Sequence, residues 1–132
     1  MRYLLDTCTV SDFVRGHPNV LQVMTQKDPA VLSVSAITRM EIDFGLALNP
    51  ARATKLVPLL DDFFSVVSTL GFELSDAEAA ASVRASLQKR GRPVGAYDVL
   101  IAGTALARGL TVVTSNLSEF NRISGLRVEN WR

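Results

Sequence analysis

Cysteine occurs once, at Cys8, and histidine once, at His17. An intramolecular disulfide is excluded, and so are the zinc cages that need several Cys and His ligands. Neither sign of charge dominates: fourteen Lys and Arg stand against thirteen Asp and Glu, for a net charge of +1. Bulk charge therefore argues for no polyanionic partner, and any contact with nucleic acid has to be local. No eighteen uncharged apolar residues follow one another, and the segment MRYLLDTCTV lacks an apolar run long enough for a signal peptide. The expected location is the cytoplasm, with no membrane partner and a lone thiol that stays reduced. Internal repeats, low-complexity tracts and linkers are also missing.

What remains is the make-up of one ordinary globular domain over residues 1–132, with 48% hydrophobic and 20% charged residues. Its radius of gyration should be about 14 Å. Short β-prone runs occur at Tyr3–Leu5, Ala30–Val34 and Thr111–Thr114, with a weaker one at Ser65–Thr69. Between them, helical spacing covers Pro18–Gln26, Ala36–Leu48, Ala51–Phe64, Ser75–Arg90 and Ala96–Arg108. This alternation predicts an α/β domain with a mainly parallel sheet, functional at the carboxyl ends of its strands. Ser75 and Glu78 have the spacing of a capping box, and Gly91 stops the helix they open.

Four acids stand where a core would not accept them. In VGAYDVLIAGTALA the only charge is Asp98, on a helix apolar nearly all round. A buried carboxylate without a partner costs several kcal/mol, so Asp98 either faces a cation or cleft or sits in a first turn favoured by the helix dipole. Asp6 ends the first apolar run, to project over the sheet edge or to cap a helix beginning near Thr9. Glu41, in SAITRMEIDFG, reads in isolation as a solvated surface residue, as does Asp43. Asn116 and Glu119, in TSNLSEF, have the spacing of another capping box, which does not exclude a ligand role.

Taken together, Asp6, Glu41, Asp98 and Glu119 each lie where a strand run gives way to a helix, and a parallel sheet could gather them at one edge. At about 5 Å and an effective dielectric of about 20, each carboxylate pair would cost about 3 kcal/mol. A divalent cation reverses that cost, and all-oxygen ligation selects Mg2+ or Mn2+ and suits hydrolysis of a phosphodiester.

LLDT with Asp6, SAITRMEIDFG with Glu41, GAYDVLIAGTAL with Asp98 and VVTSNLSEF with Asn116 and Glu119 together resemble a PIN domain, specifically the VapC-type toxins of bacterial toxin–antitoxin pairs. The resemblance covers essentially the whole chain. It implies a three-layer α/β/α fold and a metal-dependent endoribonuclease, with Asp6, Glu41 and Asp98 as an acidic triad and Glu119 as the fourth acid. Asn116 matches a position that is Asn in this branch and acidic in others, a further possible ligand. Cys8 departs from the pattern, standing where many relatives have Asn. Thr7, Thr114 and Ser115 lie beside these residues, to orient water or phosphate or simply to cap helices. The resemblance also implies a homodimer and a cognate VapB-type antitoxin covering the acidic cleft, and it makes a tRNA the first expected target.

Lys89, Arg90 and Arg92 form the densest basic cluster, just before the Asp98 helix. They would either meet an RNA backbone or serve as a solvated helix end. A phosphoaspartyl phosphatase fails because the acid it needs two residues after Asp6 is Cys8. A response-regulator receiver fails because Ser115 and Asn116 stand where its lysine belongs. The remaining rival is a PIN-like RNA-binding or scaffold protein without catalysis, which loss of a triad acid would signal.

Overall fold

A computed structural model describes all 132 residues. Five short strands form one sheet in the order β3-β2-β1-β4-β5, every pair parallel. They are β1 (Tyr3–Leu5), β2 (Leu32–Ser35), β3 (Ser68–Leu70), β4 (Thr111–Val113) and β5 (Val128–Glu129). The helices are α1 (Thr7–Val14), α2 (Pro18–Thr25), α3 (Ala36–Leu48), α4 (Pro50–Val66), α5 (Leu74–Lys89), α6 (Ala96–Arg108) and α7 (Leu117–Phe120).

Alternation along the central strands makes the layers. Tyr3 and Leu5 point into one core with Val10, Val20, Leu60 and Phe63, from α1, α2 and α4. Leu4 points into the other, with Val83, Leu87, Ile101 and Ala105, from α5 and α6. Strands buried on both faces read as continuous apolar runs, which is why YLL and TVV stand out in the sequence. On the second face α5 and α6 lie in direct contact: a Cβ at Gly103 would come within 2.7 Å of the Ala80 backbone nitrogen. Gly109 then ends α6 in the left-handed conformation, φ 65°.

Three expectations need correction. The run at Ala30–Val34 becomes strand only from Leu32, because Pro29 opens a 3-10 turn capped by Asp28, whose Oδ1 accepts from the Ala30 N–H at 2.9 Å. Strand β3 is Ser68–Leu70 rather than Ser65–Thr69, since α4 runs on through Val66. Leu60, Phe63 and Val67 are buried in one core and keep the chain helical past Phe64, so packing outweighs the β propensity of Ser65-Val66. The capping box of α5 is formed by Glu73 and Asp76, not by Ser75 and Glu78: Asp76 Oδ2 accepts from the Glu73 N–H at 2.8 Å.

The chain adds β2 and β3 on one side of β1, then crosses to place β4 on the other. The topological switch lies between β1 and β4, where a parallel sheet opens a crevice beyond its carboxyl ends.

Candidate active site

Asp6 leaves β1 at that crevice. It is 3% exposed and caps α1, its Oδ1 accepting from the Thr9 N–H at 2.9 Å. The cap and the site are thus the same carboxylate. Burial raises its pKa, hydrogen bonds from Thr114 and Thr9 oppose the rise, and Glu41 adds to it. Glu41, two turns into α3, is half-buried and receives the Thr7 hydroxyl at 2.7 Å, so it is no free surface residue. The same Thr7 oxygen lies 3.3 Å from Oγ1 of Thr38, which is fully buried one turn before Glu41.

Asp98 lies in the first turn of α6, and its pKa is pushed up to about 7. Burial is the main cause, followed by the hydrogen bond that a protonated Asp98 donates to Glu119 and by the charges of Glu119, Asp6 and Glu41. Burial and three neighbouring carboxylates thus favour the protonated form of Asp98. Gly95 leaves room for both: a Cβ there would lie 3.6 Å from Asp98 Oδ2 and 4.0 Å from Glu119 Oε2.

Asn116 differs from the sequence expectation. It precedes α7 but its side chain caps nothing; its Nδ2 donates to Glu119 Oε2 at 2.9 Å instead. Its backbone N–H goes to Thr114 Oγ1 at 2.9 Å. The capping box is replaced by a clamp on Glu119, because α7 is a single turn and the crevice supplies Asn116 with a carboxylate. Ser115 is half-buried beside it.

The four acids, from four elements, therefore act on one another electrostatically, and neither of the chain's two ion pairs involves them. The leading influences on Asp6 and Asp98 are burial, hydrogen bonds and neighbouring carboxylates. Even the Cys8 thiol is pushed up to about 11, by burial and then by Asp6 and Asp98. As the side chains stand, no three approach closely enough to enclose an ion. Asp6, Glu41 and Glu119 each have a separate tether, to Thr9, Thr7 and Asn116 respectively. The donors are oxygens throughout, which fits a hard divalent cation and not zinc.

The basic cluster is divided. Arg90 donates from Nη2 to the Arg122 carbonyl at 2.6 Å, and Arg122 donates from Nη1 to the Pro93 carbonyl at 3.0 Å. Together they brace the loop that delivers Gly95 and Asp98. Lys89 and Arg92 are exposed. Sequence reasoning missed Arg122, which has no local signal because its partners lie some thirty residues away. Thr38 had one, its position one turn before Glu41.

Residues 3–126 match the PIN domain family. Over 131 residues the chain is 35% identical to the tRNA(fMet)-specific endonuclease VapC of Salmonella typhimurium, covering 99% of this chain and 98% of that protein. The chain is a PIN domain of the VapC ribonuclease family. The VapC of Shigella flexneri, also named a tRNA(fMet)-specific endonuclease, is 31% identical over 99% of this chain and 98% of its own length. The PIN fold is matched equally closely: the DNA-bound VapBC complex from Salmonella typhimurium superposes with a TM-score of 0.91 at 34% identity, covering 100% of this chain and 99% of that one. Asp6, Glu41, Asp98 and Glu119 are all present in the chain, so none of the acids that the resemblance names is lost. No helix is long and apolar enough to cross a membrane.

Proposed function

We propose that this protein is a Mg2+- or Mn2+-dependent endoribonuclease that cuts a tRNA in the cytoplasm and is held inactive by a VapB-type antitoxin, with the toxin acting as a homodimer. One observation carries the metal reading: four carboxyls from four elements face one crevice at the topological switch, close enough to perturb one another, and neither ion pair of the chain involves them. Such a set is stabilised when a divalent ion displaces the proton that Asp98 favours. Asp6, Glu41 and Asp98 would hold the ion, with Glu119 completing the set through Asn116. When bound, such an ion lowers the pKa of a water and neutralises charge on the scissile phosphate.

The chain's own residues do the rest. The Thr9 N–H fixes Asp6, and the Thr7 hydroxyl fixes Glu41. Asn116 orients Glu119 by donating to Oε2, which leaves Oε1 to take the proton of an attacking water. Thr114 holds the backbone of the Asn116 turn and the hydrogen-bonded side of Asp6. The tRNA target rests on the names of the two relatives, both tRNA(fMet)-specific endonucleases. The antitoxin rests on the likeness to a VapBC complex.

The test is incubation of antitoxin-free protein with total RNA and with tRNA(fMet), in Mg2+, in Mn2+ and in chelator, beside Asp98→Asn. Discrete fragments that vanish in chelator and in the variant are expected. Fragments that persist in chelator would sink the metal assignment, and a folded protein that cuts no RNA in either metal would sink the nuclease reading.

A further inference from the structure

Beside the acidic crevice, among α1, α3 and α4, opens a groove of about 220 Å3. Glu41 and Thr7 line it, so it is continuous with the site, and so do Arg15 at the C-cap of α1 and Arg52 in the first turn of α4. Both arginines are exposed, and neither joins the chain's two ion pairs.

Most guanidiniums are committed elsewhere. Arg39, Arg90, Arg108, Arg122, Arg127 and Arg132 each donate to a group within the chain. Among the others, Arg84 lines an apolar groove between α5 and α6. Arg15 and Arg52 are the free pair that shares a groove with an acid of the crevice.

We propose that this groove seats the RNA backbone next to the cleaved bond, with Arg15 and Arg52 each holding a phosphate. The assignment rests on the ribonuclease reading and adds a substrate-binding subsite to it. A polyanion approaching four carboxylates is repelled, and two guanidiniums a short way along the same groove supply the opposing attraction. No aromatic ring lines the groove, so it offers bases no stacking platform. Contact is through phosphate, which positions the strand and carries no sequence information. The subsite therefore sets affinity and register, and the choice of RNA is made elsewhere.

The experiment measures binding of labelled tRNA(fMet) transcript in the Asp98→Asn background, where the RNA is not cut, across a series of KCl concentrations. The variants are R15Q/R52Q, R15K/R52K and the charge-matched control K55Q/R84Q. R15Q/R52Q should weaken binding about tenfold, lower the slope of log affinity against log salt by about 0.7 to 0.9 per arginine, and leave the melting temperature unchanged. R15K/R52K should keep the slope and lose part of the affinity, because lysine keeps the charge but not the fork. Affinity and slope unchanged in R15Q/R52Q, or changed equally in the control, overturn the subsite and leave the groove to a protein partner. If the otherwise unmodified protein cuts tRNA(fMet) while R15Q/R52Q binds normally, only the subsite fails. If it cuts no RNA, the ribonuclease reading fails and takes the subsite with it.

Discussion

A carboxylate lies at each end of helix α6, and the two are handled in opposite ways. At its C-terminal end Arg108 grips Asp76 with two bonds, Nη2 to Oδ2 at 2.7 Å and Nε to Oδ1 at 3.1 Å. Asp76 is fully buried, and Arg108 holds its pKa below the usual carboxylate range. At the N-terminal end Asp98 meets Glu119, Asp6 and Glu41, and its pKa rises to about 7. The first end spends its charge on holding α5 against α6. The second gathers acids with no arginine among its ion pairs, and the proposed cation site rests on that arrangement. A buried acid with its own arginine belongs to the architecture, and one surrounded by other acids belongs to chemistry.

Four perturbations separate the two ends, in falling order of expected effect. Asp98→Asn should lower tRNA cleavage by a factor of about 10^2 to 10^4. It should not lower the melting temperature in chelator, because it removes a repelling charge; a fall there would mean Asp98 is structural, like Asp76. Arg108→Ala should do the reverse. It strands a buried charge and should cost about 3 kcal/mol in chemical denaturation. Cleavage per folded molecule should be unchanged.

Thr7→Val removes the 2.7 Å bond to Glu41 and should weaken metal affinity about tenfold, read by titrating Mn2+ against cleavage rate or melting temperature. Stability should change little, since Thr7 is only half-buried.

The smallest effect is in pH, and its sign differs between the ends. Asp98 has a folded pKa of about 7, above the value of 3.8 expected when unfolded, so the native state holds the extra proton between these values. In chelator its contribution is full below about pH 4 and declines as pH rises to about 7. Asp76 is lowered, so its contribution is present above pH 3.8 and is lost as pH falls below it. Melting curves across this range should show the decline toward pH 7 in the natural protein and not in Asp98→Asn. Saturating Mg2+ should remove the decline, since the ion displaces the proton.

Much of this was legible before folding. YLL, TVV and the helix Ala96–Arg108 were readable because strands buried on two faces, and a helix buried on most of its surface, leave apolar runs that polar punctuation bounds. Asp98 stood out as one charge in fourteen residues. Glu41 did not: its amphipathic helix suits a surface residue equally well, and only Thr7, thirty-four positions away, shows its role. The α5 cap is ambiguous in the sequence because two acids, Asp76 and Glu78, lie at competing offsets. Choosing between them needed Arg108, thirty-two residues on.

Local pattern, by itself, determined the parallel α/β class, the sheet edge that would be functional and the isolated charge of Asp98. Period and capping act within a few residues, and residue types carry their chemistry with them. Only the tertiary structure decided which acid received an arginine and which received other acids. It also decided that Asn116 clamps Glu119 rather than capping α7, and that Arg15 and Arg52 share a groove with Glu41. Those outcomes depend on distances between segments far apart in the chain, which the sheet order and the helix packing set together.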